Sequence, residues 1–153
     1  MTEMINAPIG VSAERRMFLD AAFEAHIGAE ARGDIPAIVD TFSADGHLNF
    51  NGMLFDTPDK LGVFHTLLGF SGDGLIAGVE NTITGRLYTH DAIVIEYVTR
   101  GVIAMDLGLM REGTEIEVPN CVIYQFDEAG KLASERAYLD TGGLLPAPVL
   151  PAL

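Results

Sequence analysis

An aspartate that ends a strand-like run, two residues after a tyrosine and just ahead of two glycines, is the first group in this chain that could do chemistry: Tyr138-Leu-Asp140-Thr-Gly142-Gly143. In a regular strand residues two apart share a face, so Tyr138 and Asp140 would stand together, a phenol donor beside a carboxylate. In an apolar pocket desolvation would raise the Asp140 carboxyl toward working pH and suit it to general acid/base work. The competing role is a cap for the glycine segment that follows. His26 lies beside an apolar stripe at helical spacing, Phe18, Ala22, Ala25 and Ala29. It is either a donor or proton shuttle pointing into a cavity or a histidine hydrogen-bonded at the helix–sheet contact. Asn51 and Asn120 could orient a substrate carbonyl or hydroxyl, or could satisfy backbone groups. Phe64 and His65 are neighbours on a helix, where His65 either edges a pocket mouth or faces solvent. Glu96, between Val94 and Val98 on one strand face, is either paired with Arg86 or Arg100 on the outer side of a sheet or is a second pocket acid.

Other chemistries are disfavoured. No pair of histidines has the spacing of a metal site, and no Glu-flanked pair shares a helix face, so neither a metal nor another cofactor is expected. The glycines between Gly69 and Gly74 lack the lysine of a phosphate loop. Cys121 is the single cysteine, inside a strand-like run, and reads as a buried inert thiol. A net charge of −13 repels phosphate backbones, which argues against nucleic acid as a partner. No run is long and apolar enough to span a membrane, and the N-terminus lacks a basic start followed by an apolar segment, so a cytoplasmic protein is the expectation.

The elements that must position these groups can be read in order. At 153 residues the chain has room for one domain, and 48% hydrophobic residues give it a core with apolar surface to spare. Residues 1–12 read as an arm. Ser12 caps a first helix that ends at Gly33, and Asp34 caps a short second helix over Ile35–Phe42 with Pro36 in its first turn. Ser43–Gly46 reads as a turn and His47–Asn51 as a short strand. Thr57 and Pro58 open a third helix that runs to about Gly69 with Leu61, Phe64, Leu67 and Leu68 on its apolar side. Two long alternating runs follow, at 75–89 and 92–105, and then a hairpin at 114–140 around Asp127-Glu-Ala-Gly130. Helices followed by a run of antiparallel strands make the class α+β. The tail 146–153 carries Pro146, Pro148 and Pro151, which exclude a helix or a central strand.

Three segments resemble the nuclear transport factor two-like superfamily: Gly33–Asp45, Glu117–Leu132 and Glu135–Asp140. The likeness spans residues 13–145 and implies a cone-shaped curved antiparallel sheet with three helices on its concave face, enclosing an apolar pocket. Against the ketosteroid isomerase branch, the base position falls at Asn51, which cannot abstract a proton. The helix oxyanion donor falls at His26, and the neutral aspartic acid falls near Val122. That constellation is therefore not carried. The SnoaL-like polyketide cyclases are similar in the last hairpin and in Tyr138-x-Asp140-x-x-x-Leu144-Leu145, which implies an acid/base role for Asp140. His26 would be its partner, with Asn51, Asn120, Tyr138, Phe64 and His65 around the substrate.

The resemblance thus implies a small cofactor-independent enzyme of isomerase, cyclase or lyase type, moving protons on a hydrophobic carbonyl-bearing ring compound. A non-catalytic module holding an apolar ligand in the same cone is the alternative, and a dimeric interaction module a third. A homodimer through the sheet is expected under each.

Overall fold

The computed structural model describes residues 10–106 and 110–140. The expected proline-rich tail, and residues 1–9 of the expected arm, lie outside the described residues. Helix α1 spans Ala13–Ala31, α2 Ile35–Asp40 and α3 Pro58–Leu68; the strands are β1 Phe42–Phe50, β2 Met53–Phe55, β3 Ile76–Tyr88, β4 Ala92–Ile103, β5 Glu115–Phe126 and β6 Leu132–Leu139. The six strands form one curved, open sheet in the order β2-β1-β6-β5-β4-β3.

The sheet is mixed where an antiparallel one was expected. β1 runs parallel to β6, with Leu48 opposite Glu135 and Phe50 opposite Ala137. Strands so distant in sequence have no hairpin to dictate their direction. The other pairings are antiparallel, and β5–β6 is the hairpin read from the sequence, closed by Gly130 at φ 77°.

Capping follows the sequence closely. The side chains of Ser12, Asp34 and Thr57 accept hydrogen bonds from the backbone of Arg15, Ala37 and Lys60, and Gly69 closes α3 in the left-handed region. Two boundaries differ. α2 stops at Asp40, and the expected turn Ser43–Gly46 belongs to β1, whose register with β6 shifts between Phe42 and His47. A bulge of this kind carries the same turn-forming residues as a loop, which is why the composition misleads.

The helices cover one face of the sheet. α1 contributes Leu19 and Phe23, α2 Ile38 and α3 Leu61, packed against Leu48, Ile93, Ile95, Val122 and Leu132, all of them buried. Among the described residues no helix is long and apolar enough to cross a membrane.

Candidate active site

The buried stripe of α1 is Leu19, Phe23, His26 and Ala29, one position off the expected one. His26 therefore lies in the stripe instead of beside it and is wholly buried. Glu30, one turn further on, keeps a side chain only 10% exposed, 3.4 Å from His26 Nε2. α3 buries Leu61, Phe64 and His65; His65 is fully buried, not solvent-facing, and its Nδ1 donates to the Leu61 carbonyl at 2.7 Å. From β6, Glu135 reaches the same point, its Oε2 3.5 Å from His26 Nε2. His65 Nε2 is 3.6 Å from Glu30 Oε1. Two histidines and two carboxylates from α1, α3 and β6 thus meet behind the sheet's inner face.

Burial pushes the His26 imidazole down, but the negative charges of Glu30 and Glu135 outweigh it and raise the group to about 10. Beside them the hydroxyls of Tyr97 and Tyr124 lie 3.1 Å apart, with Tyr124 5.9 Å from His26 ring to ring. Burial, above all, raises both phenols above the ordinary tyrosine value, so they remain donors.

This cluster floors a cavity. Glu30, Glu135, Tyr97 and Tyr124 line it together with Phe50 from β1, Phe64 and Phe70 from α3 and the loop after it, and Val118, Asn120 and Val122 from β5. Asn120 donates to Thr99 Oγ1 at 2.5 Å, and Thr99 donates to Asn81 at 2.6 Å, a polar chain up one wall. The inner chamber is small, about 60 Å³. It shares Glu30, Phe70, Val79, Asn81 and Tyr97 with an outer cleft of about 390 Å³ between α1, the Gly69–Gly72 loop and β3. A ring compound would rest in the cleft and present only its reactive edge to the floor.

Of the residues singled out in the sequence, His26 and His65 join the cluster, and Phe64 and Asn120 line the cavity. Three lie elsewhere. Asn51 is the first residue of an Asn-Gly hairpin turn, with φ 47° followed by 89° at Gly52. Its amide is spent on backbone: it donates to Leu139 O at 3.1 Å and accepts from Leu139 N at 2.9 Å. Tyr138 and Asp140 do share a face, but it is the outer one, where they border a shallow depression with Glu96 and Cys121. Along β6 the residues that face the cavity are Glu135, Ala137 and Leu139. Nor does Glu96 take either expected arginine: Arg86 pairs with Asp20 and Arg100 with Glu117, each at 2.8 Å.

Glu30, Glu135, Tyr97 and Tyr124 were not singled out. Glu30 reads as an ordinary solvated acid near a helix end, although it stands four residues from His26 on one helix face. Glu135, flanked on its own face by Ala133 and Ala137, carried a usable signal. His26 and His65 are too far apart in the chain for a metal-site spacing, and the fold brings them together from two helices.

No family model and no curated protein matches the chain. Solved structures do. A protein with a ketosteroid isomerase-like fold from Catenulispora acidiphila, crystallised with trimethylamine, is 21% identical over 85% of this chain and 93% of its own, with a TM-score of 0.66. A protein from Jannaschia sp. CCS1 named for its likeness to SnoaL-like polyketide cyclases is 14% identical, covers 89% and 94%, and has a TM-score of 0.71. An epoxide hydrolase-like protein from M. tuberculosis is 16% identical over 83% and 86%, with a TM-score of 0.61. At these identities the likeness is one of fold. The chain has the cone fold of the nuclear transport factor two-like superfamily.

Proposed function

We propose that the chain is a small enzyme of cyclase or isomerase type that moves a proton on a hydrophobic, carbonyl-bearing ring compound. One observation carries this: two carboxylates, Glu135 buried and Glu30 only 10% exposed, meet a hydrogen-bonded pair of phenols at the floor of a largely apolar cavity. In this reading the ring lies in the outer cleft and its carbonyl points at the Tyr97–Tyr124 pair, in which one phenol donates to the other and the second donates to the developing oxyanion. Glu135 takes the proton from the neighbouring carbon and returns it at a second position. His26, 3.5 Å from Glu135 and 3.4 Å from Glu30, carries the proton that holds Glu135 in place. Asn120 and Phe64 contact the ring. The names of the fold neighbours, polyketide cyclase-like and epoxide hydrolase-like, are consistent with such chemistry. We also propose a homodimer through the outer sheet face, where Tyr138 and Val102 are exposed at 51% and 37%; light scattering on the purified chain tests it.

The enzyme reading is tested with a panel of aryl ketones, linear polyketide mimics and epoxides. Glu135→Gln should abolish turnover of any substrate found and leave its binding intact. Tight binding without turnover by the wild type across the panel would instead establish a binding module of the same fold.

A further inference from the structure

The histidine–carboxylate cluster has a hydrogen-bond imbalance that a proton shuttle alone does not explain. Thr41 Oγ1 donates its one proton to Ile38 O at 2.6 Å, so it must accept from His26 Nδ1 at 2.7 Å. The Leu61 carbonyl can only accept, so His65 Nδ1 also carries its proton. As a neutral ring each presents a bare Nε2 lone pair to a carboxylate oxygen, acceptor against acceptor at 3.4, 3.5 and 3.6 Å. A proton on His26, which its two carboxylates favour, relieves the first two contacts and leaves His65 Nε2 facing Glu30. Three of these atoms, His26 Nε2, His65 Nε2 and Glu135 Oε2, are buried without a hydrogen-bond partner among the described residues.

These separations are longer than charge-assisted hydrogen bonds, which fall at about 2.7–2.9 Å. The two that lie within the set His26, Glu30 and His65, at 3.4 and 3.6 Å, are close to the edges of a coordination tetrahedron, about 3.3–3.5 Å for bonds of about 2.0–2.1 Å. One atom each from His26, Glu30 and His65 lies within 4.8 Å of the other two. Imidazoles whose far N–H is anchored on a carbonyl or hydroxyl have the outer-shell arrangement that orients metal-ligating histidines.

We propose that His26, Glu30 and His65 bind one divalent first-row transition-metal ion, of zinc or iron(II) type, with its open coordination position toward the cavity and Glu135 beside that position. Two nitrogen donors select against magnesium and calcium. The ion deepens the proposed function by polarising the substrate carbonyl as a Lewis acid while Glu135 handles the proton. Its binding, however, is testable with no substrate at all.

The experiment is a Co²⁺ titration of chelator-stripped full-length protein, read by visible d–d absorption, followed by displacement with Zn²⁺. Saturation at one Co²⁺ per chain with the intense bands of a four- or five-coordinate site is expected, bleached by Zn²⁺. His65→Gln and Glu30→Gln should each weaken binding by about 100-fold or more, the scale at which even outer-shell losses begin to tell. The exposed His90→Gln should bind like the wild type, and Glu135→Gln should still bind. Absence of saturable binding by the wild type overturns the proposal and needs no variant to interpret. So does a site lost in His90→Gln, or one undiminished in folded His65→Gln. If Co²⁺ does not bind but Glu135→Gln still abolishes turnover, the metal reading falls and the proton-transfer reading stands.

Discussion

β6 shows two kinds of surface one residue apart. Glu135, Ala137 and Leu139 face a cavity floored by acids and phenols with two imidazoles behind the acids; Tyr138 and Asp140 face outward over a shallow depression. The outer pair has the better sequence signature for chemistry, an acid and a tyrosine just ahead of two glycines in the sequence. The inner group has the better physics, because low dielectric strengthens each polar contact and makes each unpartnered atom costly. A carboxylate gains catalytic leverage from where the pleat points it, and the pleat changes sides at each residue.

The contrast can be broken hardest at the acids. Glu135→Gln should lower turnover by roughly 10²–10⁴-fold, the usual contribution of a positioned general base, and Asp140→Asn should change it by less than about twofold. Steady-state kinetics on one substrate decides between the two faces. If Asp140→Asn carries the loss, the outer face is the site.

The next contrast is structural. Phe23, fully buried and edge-on to Tyr124 at 5.1 Å, anchors α1 over the floor. Phe23→Ala should cost about 3–5 kcal/mol in urea unfolding. Tyr138→Ala, on the outer face, should cost less than about 0.5 kcal/mol.

Asn51 sharpens the comparison, since its amide bridges to Leu139 at the end of β6. Asn51→Ala loses the bridge and puts a residue that tolerates a left-handed φ less well than asparagine at φ 47°, for about 1–3 kcal/mol. Asn51→Gly keeps the turn and should cost less. Equal losses would mean that the bridge alone holds this corner.

The smallest effect is in pH. Burial holds the folded phenols of Tyr97 and Tyr124 above the ordinary value. The unfolded chain therefore loses protons first, and the stability these groups contribute is fully present below about pH 10 and falls as pH rises past it. Tyr97→Phe should flatten that alkaline slope in denaturant midpoints; an unchanged slope would assign it to other groups.

Much of the frame was legible in the sequence because it depends on local chemistry. The caps at Ser12, Asp34 and Thr57, the stop at Gly69 and the β5–β6 hairpin each follow from a few adjacent residues. The parallel β1–β6 pairing was not legible, because no turn connects those strands. The site was half legible. His26, His65, Phe64 and Asn120 were found, but the acids that complete the cluster look solvated until the fold buries them. The Asn-Gly turn at Asn51 is a local signal, and it outweighs the substrate-orienting reading of that residue.

The most direct test of the central claim is a nuclear magnetic resonance titration of the histidine and tyrosine side chains with a small aryl ketone. A ligand at the inner floor should shift His26, His65, Tyr97 and Tyr124 together and leave Tyr138 in place. Shifts confined to Tyr138 and its neighbours, with the inner group unmoved, would put the site on the other side of the sheet and contradict the account.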